Sequence, residues 1–298
     1  MFLLVGADSE IGKATRAHLC RRHRALATTR RALGAGDDLI ALDLAGDLAA
    51  WEPPAGVAAA CICAAVARLG QCAADPIASA RVNVAGTLAL VERLVARGIY
   101  VLFLSTNQVF DGRIPNVPAA TPPVPVSEYG AQKARAEAGL RALMDRGAPI
   151  AILRLAKVVS SQTVPLRAWK ASLAAGRPID PPAFHDMTMA PTPIGAVARA
   201  IEALMNDRAS GIFQLTGPRD VSYFEAARFL AERLAADPAL VVRASVAGAG
   251  LPPGAAPAHT TLDSSALRSR YGVAVPDSWE VLEALCSSSD SPNMPDMI

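Results

Sequence analysis

Tyr129 and Lys133 stand four residues apart in Ser127-Glu128-Tyr129-Gly130-Ala131-Gln132-Lys133. On a helix that spacing puts a phenol and an ammonium on one face, one turn apart. A free phenol, with a pKa of roughly 10, gives up its proton too reluctantly for easy exchange at neutral pH. A positive neighbour favours the phenolate and lowers that value, which suits a general acid or base. Lys13, Lys133, Lys157 and Lys170 are the chain's only lysines, so the pairing is no by-product of lysine abundance. An exposed helical Tyr–Lys pair with no chemistry has the same spacing, and the rest of the chain has to decide between the two.

Upstream, the apolar run Ile99 to Leu104 empties into Ser105-Thr106-Asn107-Gln108-Val109-Phe110-Asp111-Gly112. Hydroxyls and amides at the C-terminal end of a buried parallel strand lie where α/β sheets take ligands. The helical stretch from Ser79 to Arg97 carries Asn83 and Gly86 in its middle. Both residues cost helix stability, so a kink, or a water held beside a site, is expected there. The proline-rich loop from Ile114 to Val126 is too rigid for a helix and too broken for a strand. It delivers the chain to the Tyr129 helix, which runs to about Asp145.

These groups need a scaffold, and the N-terminus supplies its signature. A buried strand from Phe2 to Val5 runs into Gly6-Ala7-Asp8-Ser9-Glu10-Ile11-Gly12 and then a helix through His23. Strand, glycine-bearing turn and helix open a nucleotide-binding βαβ unit. Gly6 permits the tight turn, Gly12 permits close helix–strand packing, and the free N–H groups of the helix start suit a pyrophosphate. Ser9 stands where a third glycine would allow the closest backbone approach, and its hydroxyl could donate to the phosphate instead. An ordinary βα turn reads the same way.

A second strand, Ala25 to Thr28, ends in Thr29-Arg30-Arg31 with no acid at its tip; the nearest acids counted forward from that tip are Asp37 and Asp38. An acid there selects NAD by accepting from the 2′-hydroxyl. Arg30 and Arg31 match a 2′-phosphate instead, which favours NADP(H) and leaves NAD open. Asp43, with Leu44 beside it, closes the strand from Leu39; it either reaches an adenine amino group or caps the next helix. The small-residue strand Val57 to Ala65 ends in Ala64 and Ala65, which suit the underside of a flat cofactor and equally a tightly packed core.

The 298 residues are 52% hydrophobic and 19% charged, with a net charge of +2, so a large core is affordable and no anionic polymer is implied. No block of basic residues with interleaved aromatics suggests nucleic acid. No apolar run nears the roughly 18 residues of a membrane span, and the first residues lack a signal peptide's basic flank. The five cysteines, Cys20, Cys61, Cys63, Cys72 and Cys286, form no ligand set. A reduced, cytoplasmic protein without a metal centre is expected.

Taken in order, these motifs resemble an extended short-chain dehydrogenase/reductase, most of all the dTDP-4-dehydrorhamnose reductase-like, sugar-nucleotide-modifying family. The resemblance covers Phe2 to about Trp279 and is strongest at Ser105 to Gly112, at Tyr129 to Lys133 with Glu137 following, and at Arg81 to Thr87. It implies an α/β fold, a Rossmann-type parallel sheet with helices on both faces plus a small C-terminal substrate-binding lobe. It implies that Tyr129 protonates a carbonyl oxygen as hydride arrives. Lys133 would hold the nicotinamide ribose and lower the Tyr129 pKa. Thr106, or less plausibly Ser105, would hydrogen-bond the same oxygen, and Asn83 would order the helix and a proton-relay water. Gly6, Ser9, Glu10, Ile11 and Gly12 would meet the pyrophosphate, and Asp43 and Leu44 the adenine.

The 4,6-dehydratases of this superfamily carry an Asp-Glu pair where this chain has Asn107-Gln108; two neutral amides cannot move those protons, which sets dehydration aside. The expected division is 1–156 with 193–217 for the dinucleotide domain, 157–192 with 218–286 for the substrate lobe, and 287–298 as a disordered tail. Asn107, Gln108, Lys157, Trp169 and His185, with Arg177 and Asp186, are the candidates that would face the sugar nucleotide; packed roles suit His185 and Trp169 better. The leading expectation is NADPH-dependent reduction of a nucleotide-activated 4-keto sugar, with a homodimer left open. The rivals are an epimerase that retains NAD and a non-catalytic regulatory subunit, such as the one of methionine adenosyltransferase, which resembles the same reductases.

Overall fold

A computed structural model of the chain describes residues 1–31 and 39–287. Asp37 and Asp38 lie outside the described residues, as does the expected 287–298 tail apart from Ser287, which ends a helix.

The apolar runs dictate the architecture. β1 (Phe2–Val5), β4 (Ala59–Ile62), β5 (Tyr100–Thr106) and β6 (Ile150–Leu155) are buried at every position. Strands buried on both faces need helices above and below, the arrangement of a parallel sheet. With β2 (Ala25–Thr29), β3 (Leu39–Ala41) and β11 (Gly211–Leu215) they form a seven-stranded parallel sheet in the order β11-β6-β5-β4-β1-β2-β3. The strand order reverses between β1 and β4, the place where such sheets open a ligand crevice.

Alternation along each strand sorts side chains into two cores. Phe2, Leu4, Cys61, Leu102, Leu104 and Leu153 meet α7 (Ile194–Asp207), with Leu19 of α1 (Glu10–Leu19), on one face. Leu3, Val5, Ile62, Val101, Phe103 and Ile152 meet α4 (Thr87–Ala96) and α5 (Glu128–Met144) on the other. Burying a large aliphatic side chain in this way is worth about 1.5–3 kcal/mol.

The expected helix from Ser79 is broken, as its Asn and Gly foretell. After α2 (Leu69–Ala74) come α3 (Pro76–Ala80), a π-helical stretch over Arg81–Gly86, and α4. Gly86 has a packing cause: a Cβ there would stand 1.8 Å from the Leu44 carbonyl oxygen. The loop after β3 thus lies directly on the helix.

A third core gathers Val159, Leu166, Trp169, Leu173, Met189, Val221, Tyr223, Leu230 and Leu282. It is built from α6 (Val164–Ala174), α8 (Tyr223–Arg233) and α10 (Ser278–Ser287). Three two-residue ladders hold its irregular segments: β7 (Val158–Val159) with β10 (Thr192–Pro193), β8 (Ala183–Phe184) with β13 (Arg243–Ala244), and β9 (Thr188–Met189) with β12 (Val221–Ser222). Ser222 and Glu225 form the expected capping box at the start of α8. Leu267 of α9 (Ser265–Tyr271) and Val273 depart from expectation: they pack into the core of the large sheet, not into the third core.

Candidate active site

The glycine turn is shaped by contact. Gly6 has φ +84°, and a Cβ on it would lie 2.6 Å from the Cα of Ala64 at the exit of β4. A Cβ on Gly12 would lie 2.5 Å from the Gly6 carbonyl oxygen. The exits of β1 and β4 therefore touch, with Ala64 and Ala65 half-buried beside the turn. Ser9 is the N-cap of α1: its hydroxyl donates to Gly6 O (2.9 Å) and accepts from Gly12 N–H (3.0 Å). This corrects the expectation that the Ser9 hydroxyl is free to meet a phosphate. The first-turn N–H groups of Glu10 and Ile11 have no intrahelical partner. A cradle that a side chain would fill, at the start of a helix, fits a dinucleotide pyrophosphate.

Glu10 is committed elsewhere, accepting from Ser160 Oγ, and Ile11 packs on the core. Asp43 is exposed and its carboxylate accepts from Ala45 N–H (2.9 Å), capping its own turn and no helix; Leu44 beside it is buried.

At the exit of β5 the strand alternation separates the two hydroxyls. Ser105 Oγ donates to Glu137 Oε1 (2.6 Å) inside the protein, which removes it as a partner for substrate. Thr106 Oγ1 accepts from Gln108 N–H (3.2 Å) at the start of a short turn, Asn107–Val109. On that turn sits α5: a Cβ on Gly130 would lie 2.0 Å from the Gln108 carbonyl oxygen. Only glycine lets the first turn of α5, and Tyr129 with it, lie against the Thr106 turn. Gln108 then bridges outward. Its Oε1 accepts from Ser127 Oγ, the N-cap of α5 (3.1 Å), and its Nε2 donates to Gly254 O (3.1 Å). Asn107 is half-buried beside it.

Lys133 Nζ donates to Leu104 O at 2.6 Å and lies 3.9 Å from the centroid of the Phe103 ring. Burial holds its pKa down to about 7, against the opposing pull of Glu137 and Cys63. Burial, helped by Cys72, pushes the Tyr129 phenol up. The expected lowering of Tyr129 by Lys133 is therefore absent in the free protein. The resulting phenol is protonated at neutral pH, the form a general acid requires.

The unfolded chain holds the Lys133 proton up to about 10.5 and the folded chain only to about 7, so stability rises with pH across that window. The wild-type unfolding free energy, measured relative to Lys133→Met, is expected to rise by about 2 kcal/mol between about pH 7 and about pH 9. Urea titrations at the two pH values check it, and a flat difference contradicts it.

Asn83 is a tie and not an exposed group. Its Oδ1 accepts from Val66 N–H (2.8 Å), and its Nδ2 donates to Val66 O (2.9 Å) and Gln132 Oε1 (2.7 Å). Gln132 Nε2 donates on to Ser79 Oγ (2.8 Å) and Glu128 Oε1 (2.9 Å). The π-helical stretch, α3 and the loop after β4 are thereby fixed to the Tyr129–Lys133 turn. Gln132 was not singled out from the sequence, although it stands inside the motif.

Among the substrate candidates, Lys157 follows β6 and is half-buried; burial lowers its pKa, with Glu10 pulling the other way. Trp169 is corrected: it is fully buried in the third core, edge-on to Tyr223, with Nε1 donating to Pro181 O (2.6 Å). His185 lies in the turn after β8, its N–H bonded to Ala244 O. Asp186 accepts from Ser245 Oγ and Val246 N–H, and Arg177 is exposed. No contact brings these last three to Tyr129.

The tip of β2 also differs from expectation. Arg30 and Arg31 are exposed there, but an acid is present: Asp8, arriving from the glycine turn, accepts from Thr29 Oγ1 (2.6 Å) and Arg31 NH2 (2.8 Å). Among the described residues no cluster suits a metal ion and no helix is long and apolar enough to cross a membrane.

Comparison with known proteins places this geometry. The family model described as the RmlD substrate binding domain matches residues 1–289. The probable low-salt glycan biosynthesis reductase Agl14 of Haloferax volcanii is 30% identical over 239 residues, covering 77% of this chain and 78% of that protein. A dTDP-4-dehydrorhamnose reductase orthologue from Clostridium acetobutylicum superposes with a TM-score of 0.81 at 19% identity, covering 95% of this chain and 97% of that one. The UDP-glucose 4-epimerase of Thermus thermophilus in complex with NAD superposes with a TM-score of 0.79 at 20% identity, covering 96% and 97%.

Proposed function

Because the chain belongs to the RmlD substrate binding domain family, NAD(P)-dependent oxidoreductases of the extended short-chain dehydrogenase/reductase type, we propose that it reduces the 4-keto group of a nucleotide-activated sugar. The observation that carries this reading is the first turn of α5, with Tyr129, held by Gly130 against the Thr106 turn at the carboxyl end of β5; burial there pushes the phenol pKa up. A nicotinamide cofactor bound there would supply the hydride. Tyr129 donates its proton to the carbonyl oxygen, and Thr106 Oγ1 shares that oxygen and so polarises the carbonyl. Lys133 donates one N–H to Leu104 O and offers the remainder of its N–H groups to the ribose hydroxyls. Gly6, Gly12 and the start of α1 take the pyrophosphate. Arg30 and Arg31 support NADPH as the reductant.

The sugar nucleotide lies between the sheet and the third core; we assign 157–192 and 218–286 to the substrate lobe against 1–156 and 193–217, with Leu267 and Val273 packed back into the core of the large sheet. Gln108, joined to Gly254, and Lys157 line the seam between them. The five free cysteines accord with a cytoplasmic enzyme. Dehydration has no carboxylate at Asn107 or Gln108 to run on. A second reading, an epimerase that retains NAD, is favoured by Asp8, whose carboxylate suits a 2′-hydroxyl.

The test is turnover of dTDP-linked and UDP-linked 4-keto sugars by the purified protein with NADPH. Loss of the reduced-nicotinamide absorbance, matched mole for mole by a 4-hydroxy sugar nucleotide, is expected. Cofactor binding without oxidation by any 4-keto sugar nucleotide would sink the reductase reading. Epimerised product formed without added cofactor would replace it with the second.

A further inference from the structure

Asp8 was invisible as a site residue because in the sequence it lies 21 residues before Thr29. In the fold it completes a closed cycle. Its Oδ2 accepts from Thr29 Oγ1 (2.6 Å) and its Oδ1 from Arg31 NH2 (2.8 Å), while Arg31 N–H donates to Thr29 Oγ1 (3.1 Å). Thr29 is buried, and the side chains of Asp8 and Arg31 are 31% and 66% exposed. The carboxylate is therefore fixed from beneath by a buried hydroxyl and faces solvent beside a guanidinium.

The tip of β2 is where a bound dinucleotide presents its adenosine 2′ group. Two arginines alone would make that place strongly cationic. With Asp8 in the cycle, Arg31 is paired, while Arg30 stands next to it in the chain and Lys13 and Arg16 line the same cavity as Asp8 and Arg31. A 2′-phosphate has to draw Arg31 away from Asp8 and settle beside a carboxylate of its own sign. A 2′-hydroxyl meets an acceptor already in position and displaces nothing.

We infer that Asp8, a residue of the glycine turn, is the cofactor-selecting residue of this enzyme, holding Arg31 so that NADH is accepted alongside NADPH. This rests on the reading that the cleft binds a nicotinamide dinucleotide. Asp8→Asn keeps the shape and the Thr29 bond but frees Arg31, and moves selection towards NADPH. Arg31→Gln, at an exposed position that packing does not depend on, leaves the carboxylate unopposed and moves selection towards NADH.

Fluorescence titration of the wild type and both variants with NADPH and NADH tests this. The wild-type affinities are expected to lie within about tenfold of each other, the NADPH-to-NADH affinity ratio to rise at least about tenfold in Asp8→Asn, and to fall by a similar factor in Arg31→Gln. Ratios that stay within about twofold of wild type in both variants, with at least one cofactor still bound, overturn the inference and leave the reductase reading intact. A wild type that binds neither cofactor overturns both.

Discussion

Tyr129→Phe is expected to lower kcat by about 10²–10⁴-fold while leaving NADPH affinity nearly unchanged. The reasoning is local. The substitution removes one oxygen from a ring whose helix is held by other groups: the Ser127 cap, the Gly130–Gln108 contact and the Asn83–Gln132 tie all remain. The turn that meets the pyrophosphate is built from Gly6, Ser9, Gly12 and Ala64, which are held by contacts among themselves. What disappears is the proton that the carbonyl oxygen needs when hydride arrives. Burial keeps the phenol protonated through the neutral range, so the wild-type rate should not fall there through loss of this proton. Steady-state kinetics with a turned-over 4-keto sugar nucleotide, beside a cofactor titration, separates the two effects. A variant with undiminished kcat would remove Tyr129 from the chemistry. A variant that loses cofactor binding to the same extent as turnover would make the residue a positioning group.

The order of strands, the glycine turn and the Tyr129 helix could be read from the sequence because each is a local pattern: an apolar run, a glycine where the chain must turn, a spacing of four. Even the interruption of the Asn83 helix was readable from the cost of Asn and Gly at mid-helix. What could not be read were the meetings between segments. The resemblance ranks Thr106 above Ser105, and the physical reason is the pleat of β5, which sends Ser105 to Glu137 and Thr106 to the Tyr129 turn. Trp169 stands among the substrate candidates although a packed role suits it better, and α6 and α8 close around it. Lys133 looked like the charge that would acidify Tyr129, but its environment is Leu104 O and the face of Phe103, which lowers its own pKa. Asp8 reached the tip of β2 because a glycine turn folds back over the neighbouring strand. Gln132 fills an unspecified place inside the Tyr129–Lys133 motif and Arg154 lies outside any motif, since the importance of both lies in what stands opposite.

Arg154 supplies the other large expected effect. It sits on β6 with its side chain wholly buried, facing Glu137 of α5, whose side chain is 1% exposed. Nε donates to both carboxylate oxygens (3.0 and 3.2 Å) and NH2 to Oε2 (2.6 Å), while NH1 reaches Ala119 O (3.0 Å) and Gln214 Oε1 (3.3 Å). Ser105 Oγ gives Glu137 a further donor, and Gln214 Nε2 continues to Val117 O (2.8 Å). The guanidinium also lies 4.9 Å from the centroid of the Phe110 ring. One ion pair thus joins β5, β6, β11, the Tyr129 helix and the proline-rich loop beneath the site. Removing one partner leaves a charge in the interior with nothing opposite it, so Glu137→Ala or Arg154→Met alone is expected to cost about 3–5 kcal/mol of stability. Replacing both, as Glu137→Leu with Arg154→Met, removes the desolvation of two ions together with their attraction, and should recover much of that loss. Urea unfolding of the two single variants and the double one measures the cycle. Single losses below about 1 kcal/mol would mean that water reaches the pair. A double variant as unstable as the sum of the singles would mean that the two charges hold separate parts of the fold and do not act through each other. The recovered double variant carries one more consequence: with Ser105 deprived of its acceptor and the proline-rich loop released from Arg154, it should fold and yet turn over more slowly than wild type, because the Thr106 turn and the Tyr129 helix lose the common anchor that holds them in register.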